Sequence, residues 1–305
     1  YQLQKENLRV DVSYFTFFNL NRHWLEPYAA FSYLRDKYGT ADFSNWQTNA
    51  LYNESAIQQL VSPSQNHYDE IAVHYFTQYH LHLQLKAATD YAHKNTVIIK
   101  GDIPIGICRN SVDAWMEPKL YHMDAQAGAP PDAFTSKGQN WGFPTYNWKK
   151  MQADDFAWWR RRFEQMSNYF DAFRIDHILG FFRIWTIPAN AVEGILGRFV
   201  PAIPVSINEI FGKNILFERH RYTKPFINEG VLTEIFGDKK EEVKKVFLDK
   251  NQLKTKFNTQ RKVEDYFATL DNADEKIKLG LFDLISNVIF FDDDEFTGQQ
   301  FHFRI

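Results

Sequence analysis

Twice along this chain an amphipathic helix runs into a short strand-like segment that ends on an aspartate. In the first unit Phe76, His80, Leu83, Ala87 and Tyr91 recur at helical steps, and Val97-Ile98-Ile99-Lys100-Gly101-Asp102 follows. In the second, Phe156, Trp159, Phe163, Met166 and Phe170 recur every three or four residues, and Ala172-Phe173-Arg174-Ile175-Asp176 follows. That period marks a helix with one buried stripe. Helices alternating with short buried strands predict an α/β architecture with a parallel sheet. In such folds function gathers at the C-terminal ends of strands, which is where Asp102 and Asp176 fall. On spacing alone, each aspartate equally suits a helix cap or the start of a turn.

Between these units, residues 110–148 show little regular periodicity and are rich in Pro, Gly, Trp and Asp. A connection of that length inside a compact domain is usually functional, and a rigid scaffold positions such loops. After Pro188 the character changes. Residues 189–225 read as irregular, 239–273 as solvated helices, and 276–287 as a helix carrying Leu279, Leu281, Phe282, Leu284 and Ile285. Val288-Ile289-Phe290-Phe291 and residues 300–305 look like paired strands joined through the acidic turn Asp292 to Glu295. That run lacks the Gly and terminal Glu of a calcium-binding loop.

Composition narrows the partners. The 305 residues are 44% hydrophobic, enough for one large domain with an insert. A net charge of -3 gives no basic excess to attract nucleic acid or an anionic membrane surface. No apolar run approaches the roughly 20 residues that span a bilayer. The opening Tyr1-Gln2-Leu3-Gln4-Lys5-Glu6 has neither a basic nor an apolar segment of signal type. The single cysteine, Cys108, suits a reducing compartment, so a cytoplasmic protein is expected. His74, His80 and His82 lack metal-ligand spacing, and no metal is expected there. Aromatic residues reach 17%. Most must be core, although the apolar faces of sugar rings also stack on such side chains.

The densest chemical signal is Phe173-Arg174-Ile175-Asp176-His177. Cleavage at an α-glycosidic bond needs one carboxylate to attack or stabilise the anomeric carbon and a second carboxyl to protonate the leaving oxygen. An Arg two residues before an Asp on a strand projects to the same side and can aim that carboxylate by a charge-assisted hydrogen bond.

The surrounding segments occur in a telling order. They are Gly101-Asp-Ile-Pro-Ile-Gly, Asp113-Ala-Trp, Gly128-Ala-Pro-Pro-Asp-Ala-Phe, Gly138-Gln-Asn-Trp-Gly-Phe-Pro-Thr-Tyr-Asn-Trp, Trp158-Trp-Arg-Arg-Arg and Phe173-Arg-Ile-Asp-His-Ile-Leu-Gly-Phe-Phe. This set resembles glycoside hydrolase family 77, the amylomaltases, densely over residues 70–190. The segment after Ile187-Pro188 resembles the long form of that family, typified by a plant cytosolic disproportionating enzyme and its bacterial relatives. The resemblance implies an incomplete (β/α)8 barrel of TIM type. Residues 1–188 would form part of the catalytic barrel, with the acceptor-side loop at 110–148. Residues 189–305 would be an insertion, mostly helical with a terminal strand pair.

It also implies roles. Asp176 matches the nucleophile, which forms a covalent β-glucosyl-enzyme, and Arg174 matches the residue that positions it. His177 lies beside the site on the same loop. Asp102 matches the acid near the donor sugar, and Asp132, Phe134, Gln139 and Trp141 match the loop that covers the acceptor side. The implied reaction is retaining transfer of α-1,4-glucan segments between malto-oligosaccharides or α-glucans, with no cofactor, because carboxylates carry the chemistry. The family's acid/base Glu motif does not occur in these residues. The chain is therefore expected to be part of a larger enzyme and inactive alone. Two rival readings are an α-amylase-type hydrolase and a non-catalytic glucan-binding fragment. Residue spacing does not address oligomeric state.

Overall fold

The computed structural model describes residues 1–293 and 298–304, so Asp294 and Glu295 of the expected acidic turn lie outside the described residues. The chain divides into two compact units, residues 1–122 with 146–177, and residues 123–145 with 178–305.

The first unit rests on two 27-residue helices, Val12–Tyr38 and Tyr68–Lys94. Asp11 opens the first by accepting from the amides of Ser13 at 2.8 Å and Tyr14 at 3.1 Å, which satisfies donors that have no partner inside the helix. Gly39, at φ 68°, ends it in the left-handed conformation that favours glycine. Leu25, Ala29 and Leu34 of the first helix share one core with Ile71, Ala72 and Tyr75 of the second, closed over by Trp46 and Trp115. Small Ala29 and Ala30 leave room for the large rings around them.

The second helix delivers the chain to the strand Lys100–Ile103. This pairs in parallel with Ala172–Ile175, which the helix Ala157–Ser167 precedes. Both helix–strand units are present and both strands are short, so the α/β class stands. The first strand starts later than its β-branched run. Val97 and Ile98 are exposed and precede the ladder, while Gly101, Ile103 and Ile105 turn inward. Helix Ala157–Ser167 leans on the second strand through an edge-to-face contact between Phe163 and Phe173, 5.5 Å between centroids. Its other face carries Trp158 and Trp159 into a cluster with Tyr121 and Tyr146.

The second unit holds a four-stranded antiparallel sheet in the order Gln139–Asn140, Ala125–Ala129, Ile184–Pro188, Arg198–Val200. The sequence reads as loop at Ala125–Ala129 because Ala-Gln-Ala-Gly-Ala has no β-branched or aromatic residue. Its place inside the sheet comes from fit instead. A Cβ on Gly128 would lie 2.0 Å from the Gln139 carbonyl oxygen, so only glycine lets the two backbones approach. Helices Glu229–Phe236, Lys240–Phe247, Gln260–Ala268 and Glu275–Ser286 pack around Leu232, Val243, Phe257, Val263 and Leu281. Gln260 is fully buried and fully bonded. Its Oε1 accepts from the amides of Val192 and Glu193, both at 2.9 Å, and its Nε2 donates to Glu193 Oε2 at 2.8 Å. Last, Gln300–Phe303 lies between Phe290–Asp292 and Val205–Ser206, antiparallel to both.

Candidate active site

The strand pair sets the geometry of the charged residues. Lys100 aligns with Ala172, Gly101 with Phe173, Asp102 with Arg174, and Ile103 with Ile175. Residues directly in register project to the same face, as do residues two apart on one strand. Asp102, Arg174 and Asp176 therefore meet. Nη1 of Arg174 donates to Asp102 Oδ2 at 2.9 Å, and Nη2 donates to Asp176 Oδ1 at 3.2 Å. The Asp176 amide continues the ladder by donating to the Ile103 carbonyl at 3.1 Å, which holds the backbone of this residue as well as its side chain.

All three side chains are more than half exposed. Exposed ion pairs contribute little to stability, about 0–1 kcal/mol. A guanidinium shared by two open carboxylates is therefore poorly explained as a stabilising device. It does something else well: the planar fork fixes where each carboxylate oxygen points. The triad carries two negative charges and one positive, leaving one unit of negative charge facing solvent at the C-terminal end of two parallel strands.

His177, immediately after Asp176, has φ 50°. Left-handed backbone is uncommon outside glycine, and His is one of the residues that tolerate it best. The strand thus breaks sharply after Asp176 and leaves its carboxylate at the tip.

Asp132, Phe134, Gln139 and Trp141 form their own group on the second unit. Asp132 Oδ1 accepts from the amides of Phe134 at 2.8 Å and Thr135 at 2.7 Å and from the Thr135 hydroxyl at 2.9 Å. These bonds, with the Thr135 amide contributing most, hold its carboxyl below the usual range. Asp132 is thereby committed to building the turn that presents Phe134. The Phe134 ring stands almost bare, at 96% exposure. Trp141 donates from Nε1 to Gln139 Oε1 at 3.0 Å and stacks on Phe143 with centroids 5.8 Å apart, which leaves a half-covered indole braced from behind. A bare ring and a braced one within eight positions give two flat apolar faces.

Some contributors escape pattern reading. Asp113 stands in a quoted motif but has no role assigned from sequence; it accepts from Trp158 Nε1 at 2.9 Å. Arg162 lies over both Trp158 and Trp159, 5.0 and 5.5 Å from the ring centroids. Glu193 is half-buried, and burial, outweighing Lys137 and Gln260, raises its carboxyl above the usual value. Among the histidines, His82 shares a 2.8 Å hydrogen bond with the Tyr169 hydroxyl and packs against Phe17. Among the described residues no group of three or more His, Cys, Asp or Glu side chains is arranged to hold a metal ion, and no helix is long and apolar enough to cross a membrane.

Comparison with known proteins gives this geometry a family. The sequence model described as 4-alpha-glucanotransferase matches residues 2–276. The rice (Oryza sativa subsp. japonica) 4-alpha-glucanotransferase DPE2 is 42% identical over 309 residues, covering 97% of this chain and 32% of the rice protein. The Thermus thermophilus 4-alpha-glucanotransferase is 34% identical over 201 residues, covering 62% of this chain and 40% of that protein. The chain thus spans about a third of the rice relative's length and two fifths of the Thermus one. Among solved structures, amylomaltase from Streptococcus agalactiae in complex with acarbose aligns with a TM-score of 0.57 at 23% identity, over 89% of this chain and 63% of that one, which shows a shared α/β fold. With nine tenths of its length matched by the family model, the chain belongs to glycoside hydrolase family 77, the 4-alpha-glucanotransferases.

Proposed function

We propose that the protein carrying this chain transfers α-1,4-glucan segments between malto-oligosaccharides or α-glucans with retention of configuration. The observation that carries this reading is Arg174 held between Asp102 and Asp176 at the ends of two parallel strands. In it, the Asp176 carboxylate attacks the anomeric carbon and the bond to the leaving sugar breaks, giving a covalent glucosyl-enzyme. The 4-hydroxyl of an acceptor sugar then displaces Asp176. Arg174 aims the attacking oxygen, and Asp102 anchors Arg174 while facing the donor sugar. His177 lines the donor side at the backbone break. Asp132, Phe134, Gln139 and Trp141 serve the acceptor, with Phe134 and Trp141 as stacking faces and Asp132 holding the turn. The acid/base carboxyl, which gives its proton to the leaving oxygen and then takes one from the incoming 4-hydroxyl, is assigned to the part of the relatives' length that this chain does not span. In the same reading the parallel strands belong to a (β/α)8 barrel, residues 1–188 contribute to it, residues 189–305 form an insertion, and the protein works in the cytoplasm.

The family membership and the 42% identity to the rice enzyme support transfer over hydrolysis. The test is product analysis with maltotriose and the full-length protein. Transfer yields glucose together with longer malto-oligosaccharides and leaves the number of reducing ends constant. A net rise in reducing ends would indicate a hydrolase, and glucan binding without turnover would indicate a binding module.

A further inference from the structure

The strand pair that carries Asp102 and Arg174 is closed at its other end by an aspartate with no place in the reaction above. The Asp171 amide donates to the Ile99 carbonyl at 2.9 Å, and the Ile99 amide donates back to the Asp171 carboxylate at 2.9 Å. The same carboxylate accepts from His93 Nε2 at 2.9 Å, in the last turn of helix Tyr68–Lys94. One side chain thus joins the end of the helix, the approach to the first strand and the approach to the second. Its carboxyl is held below the usual range, first by the Ile99 amide and then by His93. Beside it, the Phe170 ring occupies the space over Gly101, where a Cβ would meet it at 2.6 Å. Asp171 and Phe170 therefore fasten the residues on either side of the Lys100–Ala172 pair.

Register is what these contacts control. Side chains alternate along a strand, so a slip of one residue would turn Asp102 away from Arg174 altogether. A slip of two would carry it about 6.6 Å along the strand, far beyond the 2.9 Å hydrogen bond it makes. The ladder has four residue pairs; the Asp176–Ile103 bond extends it at the far end, Thr89 Oγ1 donates to the Tyr169 carbonyl at 3.1 Å just before the second strand, and Asp171 is the side chain that bonds the approaches to both strands.

We propose that Asp171 is a positioning residue for the glucan-transfer site: by holding the Ile99 amide, with His93 as a lesser support, it fixes the strand register that sets Arg174 between Asp102 and Asp176. The proposal rests on the transferase reading. Asp171 touches neither substrate nor reacting atoms, so its loss acts on turnover through Arg174 and leaves the glucan-stacking surfaces alone.

The experiment compares Asp171→Ala, Asp171→Asn and His93→Ala in the full-length protein with maltotriose as substrate. Asparagine keeps an oxygen for the Ile99 amide, whereas alanine keeps none. Asp171→Ala is expected to lower kcat about 30-fold, since a displacement on the order of 1 Å at a reacting group costs up to about 10²-fold. KM should stay within about twofold, and hydrogen exchange should quicken at the Ile99 amide. Asp171→Asn is expected to recover kcat to within about threefold of the parent, and His93→Ala to behave like it, because the link to Ile99 persists. Should Asp171→Ala not fold, Asp171→Ser takes its place with the same direction of effect, its oxygen being one bond short. A wild-type kcat in the alanine variant, or an asparagine variant as slow as alanine, would overturn the proposal. A parent protein that makes no longer oligosaccharides from maltotriose would instead sink the transferase reading and leave the clamp's effect on Ile99 exchange to be read separately.

Discussion

Arg174 stands directly across the parallel strand pair from Asp102 and donates to its carboxylate over 2.9 Å. The remaining end of the same guanidinium reaches Asp176 at 3.2 Å. Two donors in a rigid plane do what a single ammonium on a flexible stem does not. Arg174→Lys is therefore expected to lower kcat on maltotriose by about 10²-fold while leaving KM within a few-fold. Initial-rate kinetics on the full-length protein decide it, and a lysine variant with near-parental kcat would remove the aiming role.

Asp176 and Trp141 should fail differently. In the proposed mechanism Asp176→Asn retains shape and loses the attacking charge, so the glucosyl-enzyme should not form; kcat should drop by roughly 10⁴-fold or more, with glucan binding nearly intact. Trp141→Ala removes a stacking face. Aromatic contacts contribute about 0.5–1.5 kcal/mol beyond area burial, which is at most roughly tenfold in affinity. With the acceptor held less well, water competes better for the intermediate, and glucose release should rise relative to oligosaccharide elongation. Chromatography of maltotriose digests measures both quantities, and equal, complete loss in the two variants would mark Trp141 as core.

If the acid/base carboxyl lies, as proposed, in the part of the relatives' length that this chain does not span, the 305 residues alone should turn over maltotriose at least about 10²-fold more slowly than the full-length protein, the usual contribution of general acid–base help. Parallel assays at equal molar concentration test this. Comparable rates would place the missing acid within the chain.

Glu193 gives stability a pH dependence. Burial raises its folded-state pKa above the ordinary value of 4.5. A raised carboxyl pKa means that the folded state binds the proton more tightly, so this residue's contribution is fully present below its unfolded pKa and is lost as pH rises through the folded one. Glu193→Gln should remove that loss. Its melting temperature should gain on the parent's as pH climbs from about 4 to 7. A difference that stays flat over the interval would contradict the burial argument.

Gly128→Ala tests the sheet of the second unit. Its Cβ would sit 2.0 Å from the Gln139 carbonyl oxygen, a backbone atom with little freedom to move. Overpacking of this kind typically costs about 1–3 kcal/mol. Urea unfolding of the purified chain should show the loss, and an unchanged midpoint would mean that the two strands separate easily.

How much of this was legible beforehand differs by element. The helix–strand units with Asp102 and Asp176 could be read because apolar residues recur at helical spacing and β-branched or aromatic residues follow. The Arg174–Asp176 contact follows from alternation along one strand. The partnership of Arg174 with Asp102 does not, since it depends on interstrand register, which no periodicity along one strand displays. The strand Ala125–Ala129 was hidden because its place is earned by small size. Asp132 illustrates a third case. The family resemblance implies a place for it in a substrate-covering loop; in the structure its oxygen accepts from Phe134 and Thr135, so its first duty is to shape its own turn.

The two partners of the central ion pair are 72 residues apart in the chain. Strands joined in parallel need a crossover of at least about a dozen residues, and here the crossover is far longer. Local helices form within microseconds, but a contact of that span waits until a large loop has closed, at an entropic cost with no early return. The Arg174–Asp102 bond therefore belongs, with the His82–Tyr169 and His93–Asp171 contacts, to the long-range set of the first unit, which local helix formation alone does not supply. A folding chain gains its charged triad only once the helices on either side have found each other, so an intact Arg174–Asp102 pair reports that the first unit has folded.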